Sequence, residues 1–141
     1  MRLEIGGGTH LIIVSEKYRY AYDYENNLLL YPKVADDLII RFSVISFDRT
    51  DGEKNAAVAI VKAKAEKNGQ KFHSIDSETI FAEHSEQRKP DSDEITKSWA
   101  AGCKNFIIVI SFSYFEYTDD TLVDQVSTDV QKMIESIVEK K

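Results

Sequence analysis

Apolar and polar residues alternate along much of this chain, and the alternation predicts strands. From Leu38 to Phe47, Leu38, Ile40, Phe42 and Val44 share one face, while Arg41 and Ser43 share the other with Ile39 and Ile45. From Asn105 to Phe115, Phe106, Ile108, Ile110, Phe112 and Tyr114 alternate with Ile107, Val109, Ser111, Ser113 and Phe115, a pattern buried along much of both faces. These two segments are the expected central strands. Three shorter runs come first: Thr9 to Ser15, Tyr18 to Tyr24, and Leu28 to Tyr31 after the turn-forming pair Asn26-Asn27. Together they predict an antiparallel meander. Further strands are expected over Lys71 to Ile75 or Thr79 to Glu86, and over Glu94 to Ala100. The polar stretch from Ser85 to Asp93, with Pro90 inside it, reads as a solvated hairpin loop.

Two segments follow the helical period instead. Thr50 stands three residues before Glu53, the spacing at which hydroxyl and carboxylate each satisfy an exposed backbone N–H, and predicts a helix over about residues 52–68. Its apolar stripe is Ala56, Ala57, Ile60, Val61 and Ala63, and Asn68-Gly69 supplies residues able to end it in the left-handed conformation. Thr118-Asp119-Asp120 is a second helix entry, with a capping hydroxyl and acids that suit the positive end of the helix dipole. Leu122, Val126, Val130, Met133 and Ile137 then form one apolar face. Strands, helix, strands, helix predicts an α+β fold, an antiparallel β-sheet of about six or seven strands flanked by two helices.

Composition sharpens this picture. The 141 residues fit one domain spanning 1–141, with residues 1–8, ending in Gly6-Gly7-Gly8, expected as a flexible amino-terminal segment. Ile and Val number 25 against 7 Leu, which suits a pleated, half-buried surface. A net charge of −6 lacks the clustered positive surface that binds a phosphate backbone, so nucleic acid is excluded as a partner. No run approaches the roughly 20 apolar residues of a membrane span. Asp119, Asp120, Asp124, Asp129 and Glu135 on the final helix would repel anionic lipid, so no membrane partner is expected. Cys103 has no second cysteine to pair with, and no signal-peptide stretch precedes the first strand; a cytoplasmic location is expected.

Little in the sequence carries bond-making chemistry. Gly6-Gly7-Gly8 leads into a strand and lacks the Lys-Ser/Thr pair of a phosphate loop. His10, His73 and His84 are far apart, and Asp48-Arg49-Thr50-Asp51-Gly52 lacks the alternating acids of a calcium loop. Cys103 has Lys104 beside it but no cysteine-hydrolase context. No catalytic residue, metal ligand or cofactor is therefore assigned. The least ordinary feature is Tyr18, Tyr20, Tyr22 and Tyr24, four rings at period two and so on one side of a strand. Tyrosine combines broad apolar area with a hydroxyl, which makes it frequent at interfaces, although such rings also cover core edges. With Asp23, Glu25 and the pair Asp36-Asp37 nearby, they form a candidate partner-binding surface whose acidic rim would suit a basic protein, or a second copy of the chain in a homodimer.

From Trp99 onward, Trp99-Ala100-Ala101-Gly102-Cys103-Lys104-Asn105, a long apolar strand, an acidic break and a last amphipathic helix resemble the Mog1/PsbP-like families, and the strand and Ala-rich helix from residue 38 follow the same order. That resemblance implies the fold just described. It also implies function by binding, since such proteins serve as photosystem accessory subunits, as a partner of a nuclear transport GTPase or as bacterial immunity-like proteins, without a common catalytic centre. The expectation is a non-catalytic protein-binding domain of the bacterial immunity or adaptor kind. A small-ligand or lipid-binding domain using a concavity between sheet and helices stays open beside it, as does a small enzyme with a polar cluster in a pocket.

Overall fold

The computed structural model describes residues 1–35, 38–46, 56–76 and 78–140. Its elements are β1 (Arg2–Ile5), β2 (His10–Ile13), β3 (Tyr18–Tyr22), β4 (Leu28–Pro32), β5 (Ile40–Ser46), α1 (Ala56–Lys67), β6 (Phe72–Asp76), β7 (Thr79–Arg88), β8 (Glu94–Cys103), β9 (Phe106–Phe115), α2 (Asp120–Glu135) and β10 (Val138–Glu139). Seven strands form one antiparallel sheet in the order β3-β4-β5-β9-β8-β7-β6. A second sheet of three strands has the order β1-β2-β10. The expected six or seven strands are thus present in the larger sheet, with the smaller one added to them.

Strand register assigns the faces. Phe42 lies opposite Ile110, and Ile110 opposite Trp99, so all three point to the same side. That side is the main core, where Trp99 stacks on Phe112 with centroids 5.8 Å apart. It is closed by Val123, Val126, Val130, Met133 and Ile134 of α2 and by Leu3, Ile5 and Ile12 of the small sheet. The other side carries Ser43, Val109 and Ala100, and α1 covers only one end of it, setting Val61 and Ala65 on Ile80 and Ala82. The approach is close because of Gly102: a Cβ there would stand 2.9 Å from the Ala57 carbonyl oxygen and from Val58 Cα. A side chain at that position would meet helix backbone.

Several expectations change. Residues 1–8 are not a flexible lead-in. Leu3 and Ile5 are buried in β1, and Gly6, Gly7 and Gly8 take positive φ in the tight turn to β2. The three-stranded meander does not form either, since β2 pairs with β1 and β10, whereas β3 pairs with β4. Alternation shows which face a residue occupies but is silent on which strand lies beside it. Both β6 and β7 are strands, and β7 and β8 continue past Ser85 to Arg88 and back from Glu94, so the expected long loop shrinks to a turn. The cap of α2 is Asp119, whose carboxylate accepts from Thr121 N at 2.8 Å, while Thr118 Oγ1 accepts from Phe115 N. The Thr50–Glu53 capping box and the Asp48 to Gly52 stretch lie outside the described residues.

Candidate functional site

The tyrosine strand lies at one edge of the large sheet. Tyr18, Tyr20 and Tyr22 face Pro32, Leu30 and Leu28 of β4 and therefore point to the side that holds the main core. Along β3 the core falls away. Tyr18 is buried, and its hydroxyl donates to Asp129 Oδ2 of α2 at 2.7 Å. Tyr20 and Tyr22 are 50% and 44% exposed, their rings edge to face with centroids 6.1 Å apart. The Tyr22 hydroxyl donates to the Glu4 carbonyl of β1 at 2.7 Å. Tyr24 lies beyond the strand, 93% exposed. Burial and the acceptor Asp129 push the Tyr18 phenol well above its ordinary pKa; burial and the Glu4 charge push Tyr22 upward too.

Backbone polarity at this edge follows from the flanking bonds. Lys33 N donates to Lys17 O and Asp23 N donates to Asn27 O, so the odd-numbered positions of β3 turn their backbone groups toward β4. The even positions turn theirs outward. Pro32 fits this pattern, because it sits opposite Tyr18 where no ladder donor is needed. Among the described residues no strand pairs with the outer edge of β3.

Charge is divided along the edge. Lys17 and the exposed Arg19 stand at its start, with Lys17 Nζ 3.7 Å from Asp129. Asp23 and Glu25 stand at its end. The Asp23 carboxylate accepts from Glu25 N at 2.9 Å, Asn27 N at 3.0 Å and the Asn27 side-chain amide at 3.1 Å, and these bonds hold the turn through Asn26 at φ 63°. Desolvation works against the charged form of Asp23, but those hydrogen bonds and the Arg41 charge outweigh it and lower its pKa. The expected rim is therefore acidic at one end and basic at the other; Asp36 and Asp37 lie outside the described residues.

Two other places hold candidate chemistry. A groove of about 760 Å³ runs between α1 and the open part of the sheet, with Ile45, Ile60, Val61, Ile107 and Val109 in its lining and Lys64 as its cation. Part of its floor is polar: Ser85 and Ser98 line the groove on β7 and β8, and Ser111 of β9 lies beside Ser98. At the end of the small sheet, His10 is fully buried, its Nδ1 2.8 Å from Thr9 Oγ1 and its ring edge-on to Phe106. Burial, aided by Lys104 and opposed by Glu139, lowers the His10 pKa and keeps the ring neutral. Burial likewise raises the Cys103 thiol, which accepts from the Thr79 hydroxyl at 3.4 Å and is disfavoured as a thiolate. His73 pairs with Glu83 and His84 lies against Trp99, away from His10 in the fold. Among the described residues, no three His, Cys, Asp or Glu side chains are placed to hold a metal ion, and no helix is long and apolar enough to cross a membrane.

Period-two reasoning thus brought Tyr18, Tyr20 and Tyr22 to one face and placed Asp23 and Glu25 beside them. It missed that Tyr18 is a core residue and that Tyr24 leaves the strand. It also missed Arg19, whose alternation with the tyrosines was the available signal.

No protein-family model and no curated protein matches the sequence. Among solved structures, the chain is similar in fold to a crystallised protein of Bacteroides thetaiotaomicron, with 13% identity and a TM-score of 0.69 over 99% of this chain and 48% of that one. The chain spans about half the length of that protein. It also resembles the solution structure of cyanobacterial PsbP (CyanoP) from Synechocystis, with 8% identity and a TM-score of 0.44 over 99% of this chain and 92% of that one. The first of these likenesses is one of fold.

Proposed function

We propose that this chain is a non-catalytic protein-binding domain of the immunity or adaptor type, acting in the cytoplasm, and that it takes an extended segment of its partner as an added strand along β3. The supporting observation is the outer edge of β3, where outward backbone groups are bordered by the half-exposed rings of Tyr20 and Tyr22. Added strands gain affinity from main-chain hydrogen bonds and specificity from alternate side chains, and tyrosines supply contact area at low entropic cost. A basic group of the partner would meet Asp23 and Glu25. The test is capture of a partner from native extract by the wild-type protein and by Tyr20→Pro. Proline removes an outward N–H that no described strand uses and blocks addition at the edge. Loss of the partner with an almost unchanged unfolding midpoint is expected; undiminished capture by Tyr20→Pro overturns the reading.

The groove beside α1 favours a second reading, a small-ligand domain for an amphipathic carboxylate with its chain over Ile107 and Val109 and its head at Lys64. Decanoate raising the melting temperature of the wild type but not of Lys64→Glu would favour it; no shift in either protein would count against it.

A further inference from the structure

We infer that the strand added along β3 comes from a second copy of this chain, paired antiparallel about a two-fold axis through Ala21. The inference rests on β3 being a strand-addition edge, and what carries it further is the order of charges along that edge.

With the even positions facing outward, two copies can exchange hydrogen bonds only between even residues. An axis at Ala21 meets this condition, because Tyr20 of one copy then bonds with Tyr22 of the other. Ala21 meets Ala21 in the closer, non-hydrogen-bonded pair, where its methyl allows the approach, and it is exposed in the single chain. Arg19 then stands directly opposite Asp23 of the second copy, and Lys17 comes to the side of Glu25. Shifting the axis to Tyr20 or Tyr22 sets Ala21 against a charged or long residue and breaks the Arg19–Asp23 match. Parallel pairing in register would bring like charges together. Isologous symmetry needs a surface complementary to itself, and an edge basic at its start and acidic at its end has that property when turned by a half circle.

The rings agree with this register. Tyr20 and Tyr22 already meet edge to face within one copy. Setting Tyr20 against Tyr22 of the second copy on the same face gathers four rings over the new seam. The Asp23 carboxylate, held charged by its turn, remains an acceptor for Arg19 of the other copy.

The test is disulfide formation at the axis together with sedimentation of the full chain. Cβ atoms in a non-hydrogen-bonded antiparallel pair lie within disulfide reach, and native Cys103 is buried. Ala21→Cys is expected to cross-link to a dimer under mild oxidation at least tenfold faster than Glu25→Cys. The wild type is expected to sediment as a dimer whose dissociation constant rises with salt. Arg19→Asp should weaken association at least tenfold, whereas Arg19→Lys, which keeps the charge opposite Asp23, should not. Cross-linking of Ala21→Cys no faster than Glu25→Cys, with a monomer at every concentration reached, overturns the inference. A monomeric chain that still captures another protein in a Tyr20→Pro-sensitive way sinks the self-pairing alone, whereas loss of both observations sinks strand addition as well.

Discussion

The two edges of the large sheet are built on opposite plans. At β6 the pairing slips between Ser74 and Asp76, the Phe72 ring lies under Lys62 Nζ at 5.3 Å, and His73 is tied to Glu83 across the β6–β7 pair. A register shift bends the strand and spoils it as a template, and a cation over its ring shields the apolar surface. At β3 all five residues keep one register with β4, no strand among the described residues takes the outward groups, and aromatic rings border them. Edges left regular are a hazard unless something is meant to occupy them. The contrast within one sheet sets β3 apart as the regular edge and β6 as the irregular, guarded one, and strand addition along β3 as proposed above would use the regular edge.

The largest way to break this contrast acts on the guarded side. Gly102→Ala forces a Cβ against the backbone of α1, and overpacking of this kind costs about 1–3 kcal/mol. Urea unfolding should show a loss in that range, together with self-association that does not depend on Tyr20. Full stability would mean that α1 can shift without loss and is not what protects the β6–β7 side.

A somewhat smaller effect divides the tyrosine row itself. Tyr18→Phe removes the hydroxyl from Asp129 and should cost about 1–2 kcal/mol, as expected for a partly buried hydrogen bond to a charged acceptor. Tyr20→Phe should leave the urea midpoint where it was. Equal losses in the two variants would erase the distinction between a structural ring and a free one.

The smallest effect is a pH dependence. His10 has a folded pKa below its ordinary 6.5, so the unfolded chain takes up the proton first as pH falls. Stability from this group is therefore complete above pH 6.5 and is lost as pH drops from 6.5 toward the lowered value, by less than about 1.4 kcal/mol per unit. His10→Phe should flatten that slope in thermal melts. Because Tyr22 is tied to Glu4 of the same small sheet, acid should loosen β3 before β6, which amide exchange compared at the two edges would show.

Much of this architecture was legible from residue order. Leu38 to Phe47 and Phe106 to Phe115 announced β5 and β9 because central strands bury alternate residues with little interruption. The spacing from Leu122 to Met133 announced α2 for the same reason at another period. The small sheet was not legible: β1 has four residues before a glycine turn and β10 has two, too few for any period to register. Tyr18, Tyr20 and Tyr22 were assigned a common face correctly and Tyr24 was not, while the unequal burial of the three depends on where α2 ends its cover, which no local pattern records. Glu139 pairs with His10 across the small sheet and its charge also reaches Cys103, through an approach of segments far apart in the chain that had no signature in spacing.

The small sheet also imposes an order of events on folding. β2 is sandwiched between residues 2–5 and residues 138–139, and Lys140 N completes the join on Thr9 O at 2.8 Å. During synthesis, Leu3, Ile5 and Ile12 must wait for more than a hundred later residues before α2, whose Val123, Val126, Val130, Met133 and Ile134 share their core, is made. Contacts of such long separation are slow to close and leave greasy surface uncovered meanwhile. A nascent chain arrested shortly before Asp120 is consequently the species on which chaperone dependence should be greatest.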